Sequence, residues 1–153
     1  MARPSKPSEH PNADELLVHF NSSNTAKQFG FELTKAEAGR VVMKMLVDAR
    51  HLQILGVVHG GVLAALADTA GGLAGYMAYP TGTRVVTIEM KINYLEAVER
   101  GTLEADARVV RSGKHIAVVD CDVRDENRRL VAKALMTFFA GPLAKNKGKP
   151  RRK

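Results

Sequence analysis

Tryptophan is absent from this chain of 153 residues, and its aromatic complement is five Phe and three Tyr. So few rings make no strong case for an aryl-binding pocket. The basic C-terminal end carries none of the stacking platforms that hold single-stranded nucleic acid. Cysteine occurs once, at Cys121, which excludes a disulfide within the chain. It lies in the strand-like run Ile116 to Val123 and reads as a small core residue. Also missing are His/Cys groups at metal-ligand spacing, a glycine-rich phosphate loop after a strand and internal repeats. Residues 1–11 are Pro-rich and lack the hydrophobic segment of a signal peptide. No metal is expected, and a cytoplasmic location is.

Charge is unevenly placed. The formal net charge is +7, yet the last nine residues, Lys145 to Lys153, hold six Lys/Arg and no acid, which leaves the body at about +1. A nucleic-acid partner is therefore not expected of the folded part, and residues 144–153 read as a disordered basic tail. Apolar content of 45% and charged content of 25% are those of a soluble globular protein. One domain is expected over 12–143, after a disordered leader at 1–11. Val57 to Tyr79 is long and apolar enough to prompt a membrane reading, and Gly71-x-x-x-Gly75 fits a transmembrane packing motif. Asp68 at its centre would cost about 3 kcal/mol to insert, flanking basic anchors are lacking, and amphipathic strands follow. A buried central helix is the better reading.

What is present is a clear order of elements. Asp14 can cap a short helix carrying Leu16, Leu17 and Phe20 that ends near Asn21–Asn24. Phe29-Gly30-Phe31-Glu32-Leu33 reads as a strand, and residues 41–48 alternate like a half-buried one. Residues 49–58 form a loop into the helix. Leu63, Leu66, Ala70, Leu73 and Met77 recur at spacings of three and four, one apolar stripe. Asp68 lies nearly opposite, among Gly61, Gly71, Gly72 and Gly75. Glycine costs about 1 kcal/mol in a helix interior, so this small face should meet another backbone or a ligand, or else pack closely on a sheet. Four amphipathic strands follow Pro80-Thr81-Gly82, within 86–94, 103–111, 116–124 and 130–139. The fold class is α+β, an antiparallel sheet curling around one long helix.

The chemistry concentrates at His59-Gly60-Gly61 and Asp68. Glycines at a helix start let an oxygen approach the unpaired N–H groups of the first turn, where the helix dipole is positive. A lone carboxylate amid Leu and Ala needs a partner or a task. An anion-stabilising turn with a general base or nucleophile is the reading.

On this element order, the string Gln53-Ile-Leu-Gly56-Val-Val-His59-Gly60-Gly61, with Asp68 nine residues after His59 and with Thr87 and Asn93-Tyr94-Leu95 beyond, resembles the hotdog-fold acyl-CoA thioesterases. Its nearest match is the PaaI-type and 4-hydroxybenzoyl-CoA thioesterase group, over a core of residues 28–141. The resemblance implies hydrolysis of an acyl-CoA thioester with no cofactor, coenzyme A being part of the substrate. Asp68 would be the catalytic carboxylate, the Gly60 N–H would bind the thioester oxygen, and Gly61 would lie on the substrate. Gln53 would orient water or the thioester, Thr87 would position the water or the carboxylate, and His59 would be a positioning residue. Arg111, Ser112 and Lys114 would meet the phosphates of coenzyme A. The resemblance also implies a ligand bound between subunits, hence a homodimer and a dimer of dimers. Where relatives often read Tyr-Leu-Arg-Pro, this chain has Tyr94-Leu95-Glu96-Ala97, which reverses a charge beside the cofactor tail. A non-catalytic acyl-CoA-sensing domain and a hotdog hydratase or dehydratase are the alternative readings.

Overall fold

The computed structural model describes residues 10–142, so the expected basic tail and all but the last two residues of the leader lie outside the described residues. The order is α1 (Ala13–Ser22), α2 (Asn24–Phe29), β1 (Phe31–Glu37), β2 (Arg40–Leu46), a 3-10 turn (Ala49–His51), α3 (Gly60–Met77), β3 (Thr83–Tyr94), β4 (Thr102–Ser112), β5 (Ile116–Arg124) and β6 (Leu130–Pro142). The strands form one sheet in the order β1-β2-β4-β5-β6-β3, antiparallel at every pairing. Among the described residues, no helix is long and apolar enough to cross a membrane.

Helix α3 touches all six strands. Six strands laid flat span roughly 24 Å between the outer two, about twice the diameter of a helix with its side chains. The sheet must therefore curl around the helix, as expected. Small residues make this possible. Leu66, Ala67, Ala70 and Ala74 are fully buried against the alanine-rich inner faces of β4 and β6. A methyl placed on Gly71 would sit 2.5 Å from Met136 Cε, and one on Gly75 would sit 3.3 Å from Val85 Cγ1. The small helix face is thus explained by close packing on its own sheet, and neither a ligand nor a second backbone is needed at these two glycines.

The N-terminal region differs from the reading of the sequence. The cap of α1 is Asn12, whose side chain accepts from the N–H groups of Asp14 (2.9 Å) and Glu15 (3.2 Å). Asp14 lies inside the first turn, where its charge faces the positive helix end. Phe29 ends a second helix rather than starting a strand. Ser23 closes α1 and caps α2, and Gly30 at φ 67° stops α2 in the left-handed conformation open to glycine. The Asn21 side chain then pairs with the Leu33 backbone in both directions, at 2.8 and 3.0 Å, and fixes α1 to β1.

The outer face of the sheet carries a lattice of ion pairs centred on Asp106, which Arg40 and Arg108 grip at 3.0 and 2.7 Å. Burial alone would raise the Asp106 carboxyl. Hydrogen bonds and charge from the two guanidinium groups outweigh it and hold the group at about 2, below the ordinary 3.8. Its folded value is depressed, so its contribution is full above pH 3.8 and is lost as pH falls through about 2. Asp106→Asn is expected to cost about 1–2 kcal/mol at neutral pH, the two arginines being partly exposed. The wild-type advantage should shrink between pH 3.8 and about 2 in denaturant unfolding measured against pH.

Candidate active site

The segment entering α3 is built as a small hairpin on a buried histidine. The Asp48 N–H donates to His51 Nδ1 (3.0 Å), so the ring proton sits on Nε2 and donates to the Phe29 carbonyl (2.8 Å). His51 is 2% exposed and bolts the loop to α2. Its own carbonyl accepts the His59 N–H (2.8 Å), and Val98 accepts from Val58 (2.7 Å). The sequence reading missed this anchor, although Asp48-x-x-His51 has the spacing of a capping box. Gln53 lies at the tip of the hairpin. Its Oε1 accepts the Leu55 N–H (3.1 Å), and the turn closes at Gly56 with φ 77°.

His59 is the N-cap of α3. Its Nδ1 accepts the Gly61 N–H at 2.8 Å, and its carbonyl accepts from Val62 and Leu63. With the His59 N–H given to the His51 carbonyl, three of the four orphan donors of this helix end, those of His59, Gly61 and Val62, are used. The remaining one, the Gly60 N–H, has no acceptor among the described residues. Of the two glycines, Gly61 has its N–H spent on the cap and Gly60 has its N–H open. The Tyr94 ring lies over Gly60, where a methyl would come within 3.3 Å of its Cζ. Together with Val57, Leu63 and Glu96 these residues line a hollow of about 320 Å³. Glu96 thus borders the same hollow as the glycine turn.

Asp68 lies in a different hollow. Half-buried on α3, it accepts a 2.8 Å hydrogen bond from the Thr87 hydroxyl on β3. The pairing of β3 with β6 slips between Thr87 and Glu89, leaving Ile88 as an extra residue, 56% exposed. Such a bulge re-aims its neighbours; the expected strict alternation of β3 breaks here for that reason. Asp68 and Thr87 stand at one end of a groove of about 650 Å³ whose apolar walls include Leu73, Val86 and Phe138.

The structure therefore brings Asp68 and Thr87 together and keeps them apart from Gly60, His59 and Gln53. Gly60 and Asp68 are eight residues apart, about 12 Å along the helix axis. Arg111, Ser112 and Lys114 line neither hollow. Their turn is held beyond the far end of α3, where the Tyr79 hydroxyl donates to the Gly113 carbonyl at 2.8 Å. Cys121 is fully buried in β5, and burial pushes its thiol up, as suits a core residue. Among the described residues no three His, Cys, Asp or Glu side chains gather into a metal site.

A family model described as the thioesterase superfamily matches residues 55–132, from the turn of the hairpin before α3 to the start of β6. A proofreading thioesterase, EntH, of Klebsiella pneumoniae is 34% identical over 113 residues, covering 73% of this chain and 82% of that protein. The crystal structure of a thioesterase from Haemophilus influenzae superposes with a TM-score of 0.82 at 29% identity, over 92% of this chain and 98% of the other. The PaaI protein from the phenylacetic acid degradation operon of E. coli gives a TM-score of 0.75 at 28% identity, over 82% and 90%.

The His59 cap makes a prediction of its own. His59→Ala should lower stability in denaturant unfolding by about 1 kcal/mol. His59→Asn, which can still accept the Gly61 N–H, should restore most of it.

Proposed function

The chain belongs to the thioesterase superfamily and is a thioester hydrolase of the hotdog fold; on that premise we propose that it cleaves acyl-CoA to a carboxylic acid and free coenzyme A, at sites shared between two copies of the chain. The observation that carries the reading is the Asp68–Thr87 contact of 2.8 Å at the end of an apolar groove. Thr87 occupies Oδ1, which leaves Oδ2 free to take a proton from water. As the water oxygen attacks the thioester carbon, charge grows on the carbonyl oxygen, and the partner's Gly60 N–H donates to it. Collapse of the tetrahedral adduct breaks the C–S bond, and the proton held by Asp68 passes to the leaving thiolate. Direct attack by the Asp68 carboxylate, with a mixed anhydride hydrolysed in a second step, uses the same groups.

Two features support the shared site. One is the 12 Å separation, far beyond the roughly 3 Å at which two groups act on one carbonyl. The other is β3, a twelve-residue strand at the edge of the sheet with Ile88 and Tyr94 more than half exposed. A long open edge invites pairing with another chain, and a second β3, longer than the seven-residue β1 at the other edge, is its symmetric match in a homodimer.

A free-thiol release assay over short, long and aromatic acyl-CoAs tests the reading. Asp68→Asn keeps the bond from Thr87 but removes the base, so kcat should fall by about 100- to 10,000-fold. Gly60 is the first helical residue, where proline is best tolerated, and His59 at φ −64°, ψ 134° already has the conformation that precedes proline. Gly60→Pro should keep the helix, delete the N–H and lower kcat about 100- to 1,000-fold. Gly60→Ala, which crowds Tyr94 equally but keeps the N–H, should stay far more active. Turnover unaffected by Asp68→Asn would contradict the mechanism. Binding of acyl-CoA by the wild type without turnover would favour the sensing role.

A further inference from the structure

The groove that begins at Asp68 has a defined far end. Asp68, Gly72 and Tyr76 follow one another at intervals of four along α3 and form its floor. β3 runs beside them in the opposite sense, with Thr87 at Asp68 and Val85 at Gly75. The groove therefore extends from the carboxylate toward Tyr76, about 12 Å along the helix axis. At that end α1, pinned to β1 through Asn21, contributes Leu16 and His19. The same three residues, Leu16, His19 and Tyr76, also line a second hollow of about 430 Å³, bounded on its other side by Asn12, Glu15 and Thr81.

Resting on acyl-CoA hydrolysis at Asp68, we propose that Leu16, His19 and Tyr76 are a partition that sets the longest acyl chain the enzyme accepts. The acyl group lies along the α3 floor from Asp68, and the partition stops it. The second hollow is space behind the stop, reached only when the stop is cut back. Gly72 lies midway along the floor, between Asp68 and Tyr76. A methyl there would be in ordinary contact with Phe138 at 3.5 Å, so a larger side chain at Gly72 fits the helix and must project into the groove.

Non-hydrolysable S-alkyl-CoA thioethers bearing hexyl, decyl and hexadecyl chains test this by binding alone. Leu16→Ala and Tyr76→Ala should raise affinity for hexadecyl relative to hexyl by roughly tenfold or more, since each newly buried methylene is worth about fourfold. Gly72→Leu should do the reverse and disfavour decyl and hexadecyl while leaving hexyl nearest to wild type. It removes a helical glycine and so protects the test against simple loss of fold. Wild-type length profiles in all three variants would overturn the partition. Hydrolysis of the matching thioesters, measured in parallel, keeps the two ideas separate. A wild type that hydrolyses acyl-CoA while its variants keep an unchanged profile sinks the partition alone. One that binds the thioethers without hydrolysing contradicts the catalytic reading and leaves the length profiles to decide the partition. One that neither binds nor hydrolyses overturns both.

Discussion

The close approach of α3 to its sheet is the constraint on which the rest of the structure depends. At Gly71 a methyl would sit 2.5 Å from Met136 Cε and 3.2 Å from Phe138 Cζ, so its neighbours would have to move, and the helix face around it is alanine and glycine. Only a helix seated this deeply can be touched by six strands at once. The curl of the sheet in turn brings α1, fixed to the β1 edge, over the flank of α3 that faces β3 at the other edge. Asp68 looks out of that flank. The glycines that weaken the helix intrinsically therefore place its carboxylate, and the tight packing they allow offsets their cost.

The same helix keeps the two chemical groups apart. An α-helix does not bend eight residues into contact, so Gly60 at its start and Asp68 two turns on remain in separate hollows. One hollow holds the free Gly60 N–H under an aromatic ring, and the other holds the Asp68 carboxylate with its bond from Thr87; the proposed reaction needs both. A second copy of the chain, approaching along the open β3 edge, is the simplest partner that carries what each lacks.

The sequence made legible whatever depends on period and on local chemistry. The strands and α3 follow from alternation and from an apolar stripe, and the placing of Thr87 beside Asp68 was implied by the family resemblance. What escaped depends on tertiary neighbours or on competing caps. Asn12 and Asp14 are both good caps, and the one whose side chain reaches two N–H groups won. Phe29 reads as a strand residue until Gly30 is recognised as the stop of a six-residue helix. The sequence left the small face at Gly71 and Gly75 open between a ligand, a second backbone and a sheet, because Met136 and Val85, which decide it, lie on other elements. For the same reason Leu16 reads only as an apolar residue of α1 and Tyr76 carries no signal of its own, although both line the groove.

The central claim, a site divided between two chains, is tested most directly by complementation. Asp68→Asn and Gly60→Pro chains, each inactive alone, are co-expressed and the mixed oligomer is assayed for thiol release from acyl-CoA. With random pairing, half of the dimers are mixed and each has one intact site, so activity should return to about a quarter of wild type. If Asp68 and Gly60 of one chain served the same site, no chain in the mixture would hold an intact one. Purified mixed dimers with no activity above the parent variants would contradict the account.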